Sequence, residues 1–122
     1  MAVSGAWARP SIGQTGSSAL YFQIVNQGAT GDALVGVDVP QAAAAQLHTS
    51  ILNKDVVQMR AVGEVLLLPG IPVVFEPKAN HVMLMGLTKP LQSGDHLSAT
   101  LRFRVHAPVS IEALVAMTAP SP

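Results

Sequence analysis

Hydrophobic residues in this chain occur in short runs that are separated by glycine, proline and polar residues. The segment from residue 96 to residue 105 shows the clearest pattern, because every second position is apolar and the positions between are polar. The apolar positions are Leu97, Ala99, Leu101, Phe103 and Val105. Alternation at a period of two places one face of a strand against the core and the other in water. The pattern predicts a half-buried β-strand.

The same pattern along the rest of the chain predicts an all-β protein. Only Gln41–Gln46, which follows Pro40, has helical character, and we expect this single turn to set the approach to His48. Many short strands with turn signals between them favour one domain over residues 1–122, a two-sheet Greek-key sandwich or barrel. The predicted strands are Val3–Ala8, Ser18–Asn26, Ala33–Val39, Leu47–Ile51, Val56–Ala61, Glu64–Leu68, Val73–Phe75, His81–Leu87, His96–Val105 and Ile111–Ala116.

Composition and charge exclude several classes of protein. Seven basic and seven acidic side chains cancel, so no electrostatic footprint for nucleic acid or an anionic membrane is present. Trp7, Tyr21 and Phe22 are interpreted as core and strand residues, because no basic residues lie between them. Apolar runs such as Val65–Leu68 are too short to span a bilayer. The absence of cysteine excludes disulfides, thiolate zinc sites and a blue-copper electron carrier.

Two histidines and two methionines form an uncommon set of metal donors. Ten residues separate His48 from Met59, twenty-one separate Met59 from His81, and one separates His81 from Met83. Thioether sulfur is soft and uncharged, so it selects Cu(I), and imidazole suits copper as well. On a strand, His81 and Met83 would lie on the same face. We predict one Cu(I) per chain, bound by these two residues together with His48 and Met59 from neighbouring segments.

Each donor also has a simpler interpretation. A single methionine in a β-rich core is usually a gap-filler, and a single histidine is usually hydrogen-bonded or half exposed. The joint spacing favours ligation over packing. Met85 would share the face of His81 and Met83 on a straight strand, and we interpret it as a core residue or a neighbour of the site. We expect His96 and His106 to be exposed.

The four-donor spacing resembles the signature of the PCuAC-type periplasmic copper chaperone family, and the resemblance covers nearly the whole chain. Two segments depart from the family pattern. Lys78-Ala79-Asn80 stands where a glycine pair is common, and Thr118–Pro122 lacks the His- and Met-rich tail that binds a second copper in some members. The similar segments are Ala6–Arg9, Ala19–Asn26, Asp32–Gly36, Leu47–His48, Leu91–Asp95 and Leu101–Phe103.

The resemblance implies a cupredoxin-like fold and a location in the periplasm or elsewhere outside the cytoplasm. Met1–Ser4 shows no basic and apolar leader, so the sequence alone allows a cytosolic protein or one whose signal or membrane anchor has been removed. The resemblance also implies an acceptor: the copper-accepting domain of cytochrome c oxidase subunit II, a thiol-bearing copper assembly factor, or both. We expect a monomer.

Three functional classes follow from the residues: a copper carrier, a copper enzyme and a β-sandwich interaction module without metal. Redox catalysis at copper usually uses more imidazole than the predicted donor set contains. The acidic residues Asp38, Asp55 and Glu64 are scattered singly, so the sequence does not predict a carboxylate pair of the kind that glycosidases use. We therefore predict a carrier rather than an enzyme, with copper storage or scavenging as the alternative within the copper-binding class.

Overall fold

The computed structural model of the chain describes residues 1–11, 16–77, 79–88 and 90–117. These residues form ten strands and no helix. No helix in these ranges is long and apolar enough to cross a membrane. The strands are β1 (Ala2–Ala8), β2 (Ser18–Val25), β3 (Asp32–Asp38), β4 (Ala42–Asn53), β5 (Val56–Val62), β6 (Val65–Leu67), β7 (Val73–Phe75), β8 (His81–Leu87), β9 (His96–Phe103) and β10 (Val109–Val115).

The ten strands form one continuous hydrogen-bonded sheet. Its order is β5-β4-β8-β2-β1-β10-β9-β3-β6, and β7 pairs with β2. β1 runs parallel to β10, whereas the other strand pairs are antiparallel. Because β1 pairs with both β2 and β10, it joins the two halves of the molecule. The predicted all-β class is confirmed, and each predicted strand corresponds to an observed one.

The core lies on one face of each strand. In β9 the apolar residues at alternate positions from Leu97 to Phe103 are all buried, as the alternation predicts. The strand ends at Phe103, so Val105 lies beyond it and is 71% exposed. The rings of Phe22 and Phe75 stack with centroids 4.5 Å apart, which fixes β7 against β2.

The predicted helical turn over Gln41–Gln46 is wrong, because β4 begins at Ala42. Ala44 and Ala45 pair with Met85 and Leu84 of β8, so strand pairing outweighs the helix preference of alanine. The close approach of this part of β4 to β8 requires small side chains. Gly86 has a φ of +64°, and a Cβ at that position would lie 2.7 Å from the Cβ of Ala43. His48 therefore lies within a long strand, whose direction is fixed by β8.

Candidate metal centre

His81 and Met83 lie on the outer face of β8. The residues that alternate with them, Val82 and Leu84, are completely buried in the core. Successive side chains of a strand point to opposite faces, so His81 and Met83 project away from the core together. His81 is buried and Met83 is half-buried, because neighbouring segments cover part of this face.

His48 is opposite His81 in the antiparallel pairing of β4 with β8. Directly opposite residues share a face of the sheet, and the two imidazole centroids are 5.2 Å apart with their planes inclined by 48°. Gln46 is opposite Met83 in the same pairing. The two histidines and one methionine are therefore neighbours on the outer face.

Met59 comes from β5, the edge strand next to β4. It is opposite Ser50, which shares a face of β4 with His48, and it is 46% exposed. The Ser50 hydroxyl donates a hydrogen bond to the Met59 sulfur, with the oxygen and sulfur 3.0 Å apart. Met59, His81 and Met83 line one pocket of about 420 Å³. The structure thus brings the four predicted donors together on three adjacent strands.

Hydrogen bonds determine which nitrogen each imidazole can offer. The Nε2–H of His48 donates to Oε1 of Gln46 at 3.1 Å, whereas Nδ1 of His48 is buried and has no partner among the described residues. The Nδ1–H of His81 donates to the carbonyl oxygen of Ala79 at 3.2 Å, which leaves Nε2 with the lone pair. A buried nitrogen without a partner costs free energy that a bound metal would recover.

The electrostatic surroundings of His48 favour its neutral form. Burial, and then the neighbouring His81, lower the pKa of His48 from its ordinary value. None of the described residues that line the pocket is Asp or Glu. Within residues 1–11, 16–77, 79–88 and 90–117, no three His, Cys, Asp or Glu side chains form a group that could hold a metal. The donors that accompany the two imidazoles on this face are the thioethers of Met59 and Met83, and none of these four groups is anionic.

The turn before β8 is fixed to β4. The Thr49 hydroxyl donates to Oδ1 of Asn80 at 2.8 Å, and the Ser50 hydroxyl lies 3.3 Å from the carbonyl oxygen of Ala79. Within the turn, the amides of Ala79 and Glu76 donate to the carbonyls of Glu76 and Asn80 respectively. The Ala79 carbonyl that orients His81 is therefore itself anchored.

Comparisons with known proteins show what this chain is similar to. A family model described as LpqE-like, a lipoprotein family, matches residues 1–115. The solved apo PCuAC domain of PmoF1 is 30% identical, with a TM-score of 0.78, over 97% of this chain and 92% of that domain. The chain belongs to the PCuAC family. Its predicted cupredoxin-like fold is confirmed by this likeness.

Two further PCuAC comparisons concern metal and chain length. The copper-bound PCuAC domain of PmoF2 is 27% identical with a TM-score of 0.77, over 97% of this chain and 92% of that one. Lxx21020 of Leifsonia xyli subsp. xyli (strain CTCB07), which is named as a lipoprotein, is 31% identical over 102 residues, or 83% of this chain. The chain spans 60% of the length of that relative.

The predictions for the other residues of this PCuAC chain are confirmed in part. Met85 is half-buried on the outer face opposite Ala44, so it is a neighbour of the site and not a core residue. His96 is exposed as predicted, and the three aromatic residues at 7, 21 and 22 are buried. Of the two departures from the PCuAC pattern, Lys78 and Thr118–Pro122 lie outside the described residues.

The prediction that His106 is exposed is wrong, because its ring pairs with the buried carboxylate of Asp32 and its side chain is only 34% exposed. Burial alone would raise the pKa of Asp32. Hydrogen bonds from the amide and ring of His106 and from the amides of Ala33 and Val105 outweigh burial and hold that pKa well below its usual range. No local signal reveals this contact, since 74 residues separate its partners.

Sequence reasoning also missed Gln46 and Ser50, which contact His48 and Met59. Both lie two residues from His48 on β4, so they share its face. The strand period would have identified them if residues 41–46 had been predicted as part of a strand. The incorrect helical turn therefore concealed one of these two positions.

Proposed function

We propose that this PCuAC-family protein is a carrier that binds one Cu(I) ion as cargo through His48, Met59, His81 and Met83. The observation that supports the proposal most directly is the buried, unpartnered Nδ1 of His48, on the face that also carries both thioethers. A solved relative is titled a copper-bound PCuAC domain, which supports copper as the cargo.

The donor set accounts for the oxidation state. Nδ1 of His48 and Nε2 of His81 would supply lone pairs, and the sulfurs of Met59 and Met83 would supply soft, polarizable donors. None of the four groups is anionic, so a second positive charge on the metal would gain no compensation from the protein. This combination favours Cu(I) over Cu(II).

The position of Met59 supports release as well as binding. It is the most exposed of the four donors and lies on an edge strand, so its sulfur can leave the metal without disturbing the core. An acceptor donor could then take its place. Thiolates bind Cu(I) more strongly than thioethers, so transfer to a thiolate site would proceed without an energy source.

The proposed acceptor lies outside the cytoplasm. The lipoprotein naming of the family and of Lxx21020 supports an exported protein, held at a membrane by an anchor. We propose the copper-accepting domain of cytochrome c oxidase subunit II, or a thiol-bearing assembly factor for it, as the recipient. The protein acts as a carrier and not as an enzyme in this account, and it works as a monomer.

Copper titration followed by a transfer experiment tests the proposal. Cu(I)-loaded protein is mixed with the reduced, copper-free acceptor domain in one chamber and, separately, across a dialysis membrane. We expect one Cu(I) per chain and transfer that is much faster in one chamber, because docking avoids free Cu(I). Equal rates in both arrangements would indicate simple release, and no transfer in either would leave storage or scavenging. Failure to bind Cu(I) would refute the carrier function.

A further inference from the structure

The pocket beside Met59, His81 and Met83 is larger than a metal ion needs. Its volume of about 420 Å³ lies within the range of small-molecule sites, roughly 300–1,000 Å³. The other described lining residues come mainly from the end of β1 and the start of β2, among them Arg9, Ser18, Ala19 and Tyr21. There is therefore room for a second ligand next to the metal donors.

Arg9 is held at the side of this pocket by the sheet. Its amide donates to the carbonyl of Ala19 at 3.1 Å, and its own carbonyl accepts a hydrogen bond from the Ser18 hydroxyl at 2.5 Å. Ala19 is in turn opposite Met83. Neighbouring strands lie about 4.8 Å apart, so the backbones of Arg9 and Met83 are separated by roughly 10 Å.

The guanidinium group of Arg9 extends toward an aromatic wall. Its central carbon lies 6.0 Å from the centroid of the Tyr21 ring. That ring is itself buried against Trp7, with ring centroids 4.7 Å apart. A cation over an aromatic face gains a modest attraction, which favours this position of the arginine. Arg9 and Tyr21 line the same pocket as Met59, His81 and Met83, so the positive charge belongs to the wall of that pocket.

The charges around the pocket select the sign of the second ligand. Among the residues that the structure describes, Arg9 is the one that lines the pocket with a permanent charge, and none of them brings a carboxylate to it. Cu(I) bound by neutral donors would add a second uncompensated positive charge. A guanidinium group pairs with a carboxylate through two parallel hydrogen bonds. An incoming ligand that carries both a soft donor and a carboxylate would match both charges.

We propose that this pocket admits small thiolates that carry a carboxylate, and that Arg9 selects them as the incoming ligands in copper exchange. The inference rests on the proposed carrier function. In the exchange, the thiol loses its proton to solvent, one copper–thiolate bond forms and one copper–thioether bond breaks. Copper remains Cu(I) throughout, so no oxidant or reductant is consumed.

The test compares copper removal from the loaded protein by 3-mercaptopropionate and by uncharged 2-mercaptoethanol, without oxygen and at equal thiolate concentration. Attraction between exposed charges predicts removal about two- to fivefold faster by 3-mercaptopropionate. The ratio should fall in high salt, where the attraction is screened. Arg9→Gln should reduce it to about one, whereas Arg9→Lys should retain part of it.

Arg60→Gln is the matched control. Arg60 adjoins Met59 in β5 but points to the opposite face, and it does not line the pocket. Its substitution should leave the ratio unchanged. The role of Arg9 is overturned if the unmodified protein gives a ratio of one. It is also overturned if Arg9→Gln still binds one Cu(I) and keeps the unmodified ratio. Neither result would affect the carrier function. If the unmodified protein does not bind Cu(I), the carrier function on which the inference rests is refuted instead.

Discussion

His48 and His106 are both partly buried histidines, yet their surroundings differ. His106 pairs with Asp32, whose carboxylate also accepts hydrogen bonds from three backbone amides. Within the part of the chain that the structure describes, His48 bonds to Gln46 through one ring nitrogen, and its other nitrogen is buried without a partner. A polar cluster with all its partners stabilises the fold, whereas an unpartnered donor atom retains the capacity to bind something else.

The two regions also differ in charge. The hydrogen bonds to Asp32 hold its pKa well below the usual range, so its negative charge is fixed in the folded protein. Burial and then His81 lower the pKa of His48, so this imidazole remains neutral. The Asp32 carboxylate holds the segment after β9 to β3 through its hydrogen bonds, whereas a neutral imidazole is the form that binds a metal.

The largest effect should come from Asp32→Asn, which removes the charge while keeping the shape. A hydrogen bond to a charged group contributes about 1.5–3 kcal/mol, and Asn can accept only part of the hydrogen bonds that Asp32 accepts, so we expect the free energy of unfolding to fall by at least that amount. Cu(I) affinity should be unchanged at temperatures where the variant is folded. Chemical denaturation and Cu(I) competition titration measure the two quantities.

Asp38→Asn is the control for that variant, since Asp38 pairs with Arg102 at 2.8 Å where both side chains are exposed. It should cost less than about 1 kcal/mol. The contribution of Asp32 should be intact above its unfolded pKa, near pH 4, and should be lost as the pH falls toward its lowered folded pKa. Equal losses in the two variants would contradict the structural role of Asp32.

Replacing Met59 or Met83 with leucine should have the opposite effect to Asp32→Asn. It should weaken Cu(I) binding and leave the stability nearly unchanged. The two side chains have similar volumes, so each variant should lose less than about 1.5 kcal/mol of stability. Loss of a hydrogen bond that supports a metal ligand weakens binding by up to about 100-fold, so loss of the ligand itself should weaken Cu(I) binding by at least that factor. Met117→Leu, at a residue that is 72% exposed, is the control and should bind normally.

Gln46→Leu tests whether the hydrogen bond to His48 prepares Nδ1 for copper. Without its acceptor, Nε2–H loses a partner and the other tautomer becomes accessible. We expect Cu(I) affinity to fall by about tenfold, with one copper per chain retained. Imidazole nitrogen shifts in the metal-free protein should show a mixed tautomer. A variant that keeps the parent affinity and tautomer would show that Gln46 has no such role.

The pH dependence of Cu(I) binding should reflect the lowered pKa of His48. Because its pKa is lowered, His48 should stay neutral to a lower pH than an ordinary histidine, whose pKa is about 6.5, so protons should compete for it only below the ordinary histidine range. Below that range protons compete with the metal, and affinity should fall by up to about tenfold per pH unit for each imidazole. Constant affinity down to about pH 5 would remove the histidines from the site.

The smallest effect should come from Ser50→Ala. The Ser50 hydroxyl donates to the Met59 sulfur in this structure, so copper must displace a weak hydrogen bond. Its removal should raise Cu(I) affinity by no more than about threefold and shift the methyl resonance of Met59 in the metal-free protein. A marked loss of affinity would instead mean that Ser50 supports the bound state.

The sequence predicted the strands well because alternation and turn residues are local signals. β8 was predicted with its observed bounds, and the alternation in β9 matched its buried face. The alanines of Gln41–Gln46 misled the prediction, since their pairing with β8 is determined by residues about 40 positions away. Local propensity does not contain that information.

The candidate site shows the same limit. Spacing and donor chemistry singled out His48, Met59, His81 and Met83, and the strand register places them on one face. The role of Gln46 could have followed from the strand period. The pairing of Asp32 with His106, and the position of Arg9 beside Met83, depend on tertiary contacts that no local pattern encodes.

X-ray absorption on the Cu(I)-loaded protein tests the central claim most directly, because it counts the atoms bound to copper. The proposed site predicts two nitrogen and two sulfur neighbours, with one sulfur lost in Met59→Leu and one in Met83→Leu. It also predicts no change in Met117→Leu. A copper environment of nitrogen and oxygen alone, or a sulfur count unaffected by either leucine variant, would contradict the proposed site.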